Sequence, residues 1–216
     1  MTVAALASDL HHFLDTHEIE KAIFLGHSMG GKAVMATSLL FPERVAGLIV
    51  ADMAPVSLES LKKEGNAESW ASVQRVLDAA TAMDLSKVTN RLQADELLRD
   101  GIPDDATRSF VLQNLQSPRG DDNWHWRCNL PVLRQSLSTL GNFDWPNCTF
   151  DGDVCFVGGS RADYLHPEML PSLQRLFPNA TLDMLDAGHW LHFERPDEFA
   201  DTVRRRMQQW TSLQPQ

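Results

Sequence analysis

Gly26-His27-Ser28-Met29-Gly30 stands between a short apolar run, residues 21–25, and a helical pattern over residues 28–40. A strand that reverses into a helix within a residue or two forces its turning residue into strain, and a serine there has its hydroxyl lifted above the sheet edge. Side chains two positions to either side would meet the neighbouring strand and helix, so sterics predict glycine at 26 and at 30. The helix starting at the serine offers free N–H groups and the positive end of its dipole to a developing oxyanion, with the Met29 N–H as the expected donor. Five residues alone are a weak signal. Their strand–turn–helix setting makes it a specific one.

The rest of the chain is read outward from this turn. Residues 2–16 carry Val3, Leu6, Leu10, Phe13 and Leu14 at helical spacing. Residues 44–52, with Val45, Leu48, Ile49 and Val50, form the nearly continuous apolar run of a parallel strand covered on both faces. Strand, helix, strand is a βαβ unit with an expected right-handed crossover. From Pro55 the pattern changes. Residues 57–82, 84–99, 104–116 and 130–140 have helical spacing, with breaks at Gly65, Gly101-Ile102-Pro103, Pro118-Arg119-Gly120 and Pro131. Trp124-His125-Trp126 reads as a brief extended piece. Strands then return at 154–157, ending in Gly158-Gly159, and at 180–185, with a helix at 167–177 between them. Residues 196–211 make a last amphipathic helix with Phe199, Val203, Met207 and Trp210 on one face. The expected organisation is an α/β core over residues 1–55 and 151–216, a parallel sheet interrupted by a helical insertion at 56–150.

Charge and composition narrow the partners. A net charge of −10 and the lack of any run of five basic residues argue against nucleic acid. Arg204-Arg205-Arg206 is read as cations at the negative end of the last helix's dipole. Cys128, Cys148 and Cys155 are odd in number and lack metal-type spacing, so reduced, structural thiols and no metal are expected. No apolar stretch approaches the ~18–20 residues of a membrane span, and residues 1–20 lack a signal-peptide pattern. The expected location is cytoplasmic, or mitochondrial should a transit segment precede the chain.

A serine nucleophile needs a base and an acid. Ala187-Gly188-His189-Trp190 follows the last strand and precedes the last helix, which singles out His189. His11 and His12 lie on a helix's polar side, His27 is inside the turn, and His192 comes three residues after His189. The carboxylate that would hold the imidazole tautomer has two candidates at strand ends. Asp52 closes Leu48-Ile49-Val50-Ala51-Asp52 and is preferred. Asp163, in the loop after residues 154–157, is the alternative, with a helix-capping role as its competing reading.

Gly26-His27-Ser28-Met29-Gly30-Gly31-Lys32, Asp52-Met53-Ala54-Pro55, Trp126-Arg127-Cys128-Asn129-Leu130 and Gly188-His189-Trp190 together resemble one branch of the α/β-hydrolases. That branch holds small YbfF-type carboxylesterases and abhydrolase-domain-containing protein eleven, and the resemblance runs from residue 1 to about residue 211. It implies a helical cap, no cofactor, a small acyl ester or thioester as substrate, and Asp52 as the triad acid. It also implies upstream strands and a His-Gly oxyanion loop that cannot fit between Met1 and Ser28. The expected fold is therefore a partial α/β-hydrolase, truncated at its N-terminus, with the nucleophile strand at a sheet edge through which copies of the chain would associate. Trp124, Trp126 and Leu133 are expected either in the acyl pocket or packed between cap and core.

Two other classes remain open at this stage. A non-catalytic fold remnant or interaction protein would keep these motifs without turnover. A P-loop nucleotide-binding protein would match Gly-x4-Gly-Lys at residues 26–32, but Ala33 offers no hydroxyl for Mg²⁺. With that reading set aside, Lys32 is expected to be a solvated residue of the second helix.

Overall fold

Alternating glycines and apolar runs become strands and helices in the order read. A computed structural model describes residues 1–57, 60, 68–117, 123–145 and 147–212. The breaks read at Gly65 and at Pro118-Arg119-Gly120 lie outside the described residues. The chain runs α1 (Val3–Thr16), β1 (Ala22–His27), α2 (Met29–Leu40) and β2 (Val45–Ala51). It continues with α3 (Glu68–Ala82), α4 (Arg91–Leu98), α5 (Asp105–Leu112), β3 (Leu115–Gln116), β4 (His125–Trp126) and α6 (Leu130–Gly141). It closes with β5 (Val154–Gly159), α7 (Leu170–Leu173), β6 (Ala180–Leu185), α8 (Leu191–Glu194) and α9 (Pro196–Ser212).

The chain divides into two compact units, Met1 with Ala67–Gly141, and Thr2–Asn66 with Asn142–Gln216. The second unit holds a four-stranded sheet ordered β1-β2-β5-β6, every pairing parallel. Successive residues of β2 and β5 point to opposite faces. Leu48, Val50, Val154 and Phe156 enter a core with Val3 and Ala7 of α1, Val34, Met35 and Leu39 of α2, and Leu173 and Phe177. Ile49, Ala51, Cys155 and Val157 enter the opposite core with Leu191 and Trp210. Each large side chain fully buried here contributes about 1.5–3 kcal/mol. Phe143 and Phe150 join the first core, which is why the helical unit ends at Gly141 and is narrower than the insertion expected at 56–150.

The helical unit closes its own core around Val88, Ala94, Leu98, Ile102, Leu112 and Leu115. Trp124 and Trp126, expected in an acyl pocket or at a cap boundary, pack against this core, and Leu133 is half-buried. The helix read over 104–116 stops at Leu112, because Leu115 and Gln116 pair with Trp126 and His125 in an antiparallel ribbon. The Arg91 guanidinium satisfies the carbonyls this leaves, donating to Leu112 O at 2.6 Å and Leu115 O at 2.8 Å.

The helix read over 167–177 is one 3₁₀ turn, Pro167–Met169, followed by the short α7; Pro171 lacks an N–H to continue a regular ladder. The Arg204-Arg205-Arg206 cluster does not face a helix end. Arg205 and Arg206 pair with Asp183 of β6 at 3.2 and 2.9 Å, and Arg204 pairs with Asp201. Lys32 is not solvated. It is completely buried, and its Nζ donates to Val56 O at 3.1 Å. The reason is that α2 is buried on nearly every side, from Gly31 to Leu39.

Burial pulls the Lys32 ammonium down from 10.5 to about 8. Between those values the unfolded chain holds a proton that the folded chain has lost, so stability rises with pH across that window. Wild type is expected to gain about 3 kcal/mol from pH 8 to 10.5 relative to Lys32→Met, read by urea unfolding of both proteins. Equal pH dependence in the two would contradict the assignment. Separately, a Cβ at Gly47 would lie 2.4 Å from Cε3 of the Trp210 ring, and a packed indole has little room to yield. Gly47→Ala is expected to lower the unfolding free energy by about 1–3 kcal/mol with an unchanged urea m-value.

Candidate active site

Between β1 and α2 the backbone bends sharply at Ser28, which has φ 54° and ψ −121°. A non-glycine residue in that conformation is strained and persists only where its surroundings hold it. Here β1 pairs with β2 through His27 and Ala51, and the Ser28 N–H continues that ladder by donating to Ala51 O at 3.0 Å. Gly26 meets the steric expectation: a Cβ there would lie 2.4 Å from Gly30 O and 2.7 Å from Val34 Cγ2. Gly30 does not, since a Cβ there would meet no atom within 4 Å. The close approach of helix to strand falls instead on Gly31, where a Cβ would lie 3.1 Å from both Met53 Cβ and Val50 Cγ1. Met29 is the first residue of α2, so its N–H belongs to the helix-terminal donors that have no intrahelical acceptor.

Asp52 ends the neighbouring strand and is completely buried, with φ 48°. Its Oδ1 accepts from the Gly159 N–H at 3.0 Å and its Oδ2 from His189 Nδ1 at 2.8 Å. Because a carboxylate only accepts, His189 Nδ1 carries the proton and Nε2 is left with a lone pair. Ser28 Oγ lies 3.0 Å from that Nε2. The structure thus brings Ser28, His189 and Asp52 into one hydrogen-bonded chain, from three different strand ends of one sheet. Asp163 does not join it: its side chain is exposed, and the His189 Nδ1–H is already given to Asp52.

Several residues around the chain escaped the sequence reading. The Tyr164 ring stacks on His189 with centroids 4.2 Å apart. His27 Nε2 donates to the His189 carbonyl at 2.8 Å, and its ring lies 4.7 Å from that of His189 and 4.6 Å from that of His192. Burial, and then charge on His189, push the His27 imidazole down to about 4, so it stays neutral and serves as a donor. The His192 imidazole is lowered by the same two causes in the same order. His27 could have been found as a histidine in a turn too tight to be solvated. Nothing in the sequence pointed to Tyr164.

The P-loop reading has no geometric counterpart. The Lys32 ammonium is buried and donates to Val56 O, and Ala33 has no hydroxyl for Mg²⁺. Among the described residues, no His, Cys, Asp and Glu side chains are grouped to hold a metal ion, and no helix is long and apolar enough to cross a membrane. All three cysteines are free.

Comparison with known proteins agrees with this architecture. Residues 2–202 match the model of the alpha/beta hydrolase family. The chain is 33% identical to the sn-1-specific diacylglycerol lipase ABHD11 of Danio rerio over 94% of its own length. It spans 62% of that relative. It is 30% identical to esterase YbfF of Escherichia coli K12, covering 95% of this chain and 74% of the relative. Among solved structures, a marine microorganism esterase superposes with a TM-score of 0.83 at 27% identity, covering 95% of this chain and 77% of that one. The chain belongs to the alpha/beta hydrolase family, in the branch that holds ABHD11 and YbfF.

Proposed function

We propose that this chain is a serine hydrolase that cleaves small acyl esters or thioesters through an acyl-enzyme on Ser28, without a cofactor. The observation that carries the reading is the continuous hydrogen-bonded chain from Asp52 through His189 to Ser28. In this scheme Ser28 Oγ attacks the acyl carbonyl while its proton passes to His189 Nε2. The imidazolium formed is stabilised by Asp52, which stays ionised. The Met29 N–H provides one donor to the tetrahedral oxyanion, strengthened by the α2 dipole. Protonated His189 then gives its proton to the leaving oxygen or sulfur. A water, deprotonated by His189 in turn, releases the acid and restores Ser28. Relatives named as a lipase and as esterases support a carboxylic ester as the bond attacked.

Treatment with a fluorophosphonate is expected to label Ser28, and Ser28→Ala is expected to abolish both labelling and hydrolysis of p-nitrophenyl butyrate. Persistent labelling of that variant would remove the nucleophile assignment. Asp52→Asn is expected to lower kcat by about 10⁴-fold by stabilising the wrong imidazole tautomer. Asp163→Asn is expected to stay near wild type, and the reverse ranking of the two would exchange their roles.

A further inference from the structure

His189 sits in the loop between β6 and α8, and four consecutive residues of that loop have a main-chain atom tied from outside. Asp186 O accepts from Arg161 Nη1 and Arg195 Nε, each at 3.0 Å. Ala187 O accepts from the Arg161 N–H at 2.9 Å. The Gly188 N–H is shared by both oxygens of Glu194, at 3.1 and 3.0 Å. His189 O accepts from His27 Nε2 at 2.8 Å. Glu194 in turn pairs with Arg161 Nη2 at 2.8 Å, and Arg161 Nη1 also pairs with the Asp186 carboxylate. The Glu194 carboxylate lies so close to Gly188 that a Cβ there would stand 2.8 Å from Oε1. Glycine at 188 is what admits it.

The loop after β5 supplies Arg161. It also supplies the Tyr164 ring to His189, and Gly159, the last residue of β5, donates its N–H to Asp52. Arg161 therefore joins the segment following the Asp52-binding end of β5 to the loop that carries His189. The ion pairs themselves are open to water: the side chains of Arg161, Asp186 and Glu194 are 50%, 68% and 33% exposed. Pairs so exposed contribute little to global stability. Their geometric effect is local, because a base must hold two hydrogen bonds at once, and a displacement of about 1 Å can cost 100-fold in rate.

We propose that Glu194 and Arg161 are positioning residues for His189, clamping the main chain of residues 186–188 so that the imidazole meets Ser28 and Asp52 together. This rests on the serine-hydrolase reading given above. The test combines three measurements on wild type, Ser28→Ala, Glu194→Ala and Glu194→Gln: the rate of fluorophosphonate labelling, amide hydrogen exchange of the 186–190 segment, and melting temperature. Glu194→Ala is expected to slow labelling about 10- to 100-fold, to lower kcat with little change in KM, and to speed exchange of that segment. Glu194→Gln keeps one oxygen for the Gly188 N–H and loses the pairing with Arg161, so its effect is expected to be smaller and in the same direction. Both variants are expected to melt close to wild type. Unchanged labelling or unchanged exchange in Glu194→Ala overturns the clamp, as does a loss of labelling that tracks loss of folded protein in both variants. A wild type labelled no differently from Ser28→Ala removes the serine-hydrolase reading, and the positioning role with it. Normal wild-type labelling beside an unaffected Glu194→Ala removes the positioning role alone.

Discussion

Asp52 is a fully buried carboxylate, and the site is built around meeting its demand for hydrogen bonds. A charge taken out of water is costly unless donors replace the solvent it has lost. Two do so, the Gly159 N–H from the next strand and the Nδ1–H of His189. The first fixes where the carboxylate sits relative to β5. The second fixes which nitrogen of His189 is protonated, and therefore which one faces Ser28. A single buried group thus sets both the place and the proton inventory of its neighbours. That demand is met only while β2, β5 and β6 keep their parallel register.

Two of the three non-glycine residues with positive φ among the described residues lie at the same end of the sheet. Ser28 and Asp52 both have positive φ, each costing about 1–3 kcal/mol. The two bends follow β1 and β2 at residues the strands hold side by side, since Ser28 N–H bonds to Ala51 O and Asp52 N–H to Val157 O. The ladder is extended into the turns, so relaxing either bend would sacrifice sheet hydrogen bonds. Regular strand pairing is what keeps an unfavourable conformation in place.

Much of this was legible in the sequence because it follows from local rules. A nearly continuous apolar run marks a buried strand, and β2 falls within the run read at residues 44–52, as β6 falls on residues 180–185. The turn at Ser28 was announced by its flanking strand and helix, and His189 by its position after the last strand. The failures share one cause. Lys32, Arg205 and Arg206 were placed by their charge, whereas their environment is decided by an element distant in sequence: the buried α2 for the lysine, and Asp183 of β6 for the arginines. Gly30 was assigned a crowding that falls on Gly31, because the pitch of α2 against β2 is not readable from spacing. The ties of Arg161 and Glu194 to the histidine loop are of the same kind, joining residues whose proximity exists only after the sheet has formed.

The pairing of β2 with β5 joins Ala51 to Val157 and Leu48 to Val154, although an excursion of about a hundred residues leaves the sheet in between. Closing so long a loop is less demanding than it looks, because the entropy grows only with the logarithm of length, about 0.6 kcal/mol for each doubling. The helical unit within the excursion buries its own apolar residues around Leu98 and Leu115. Changes of loop length between these two strands therefore cost little in closure entropy, whereas a one-residue slip in their register would turn every side chain of a strand to the wrong face. Variation in chain length should accumulate in the excursion, and the strands that bracket it should hold theirs constant.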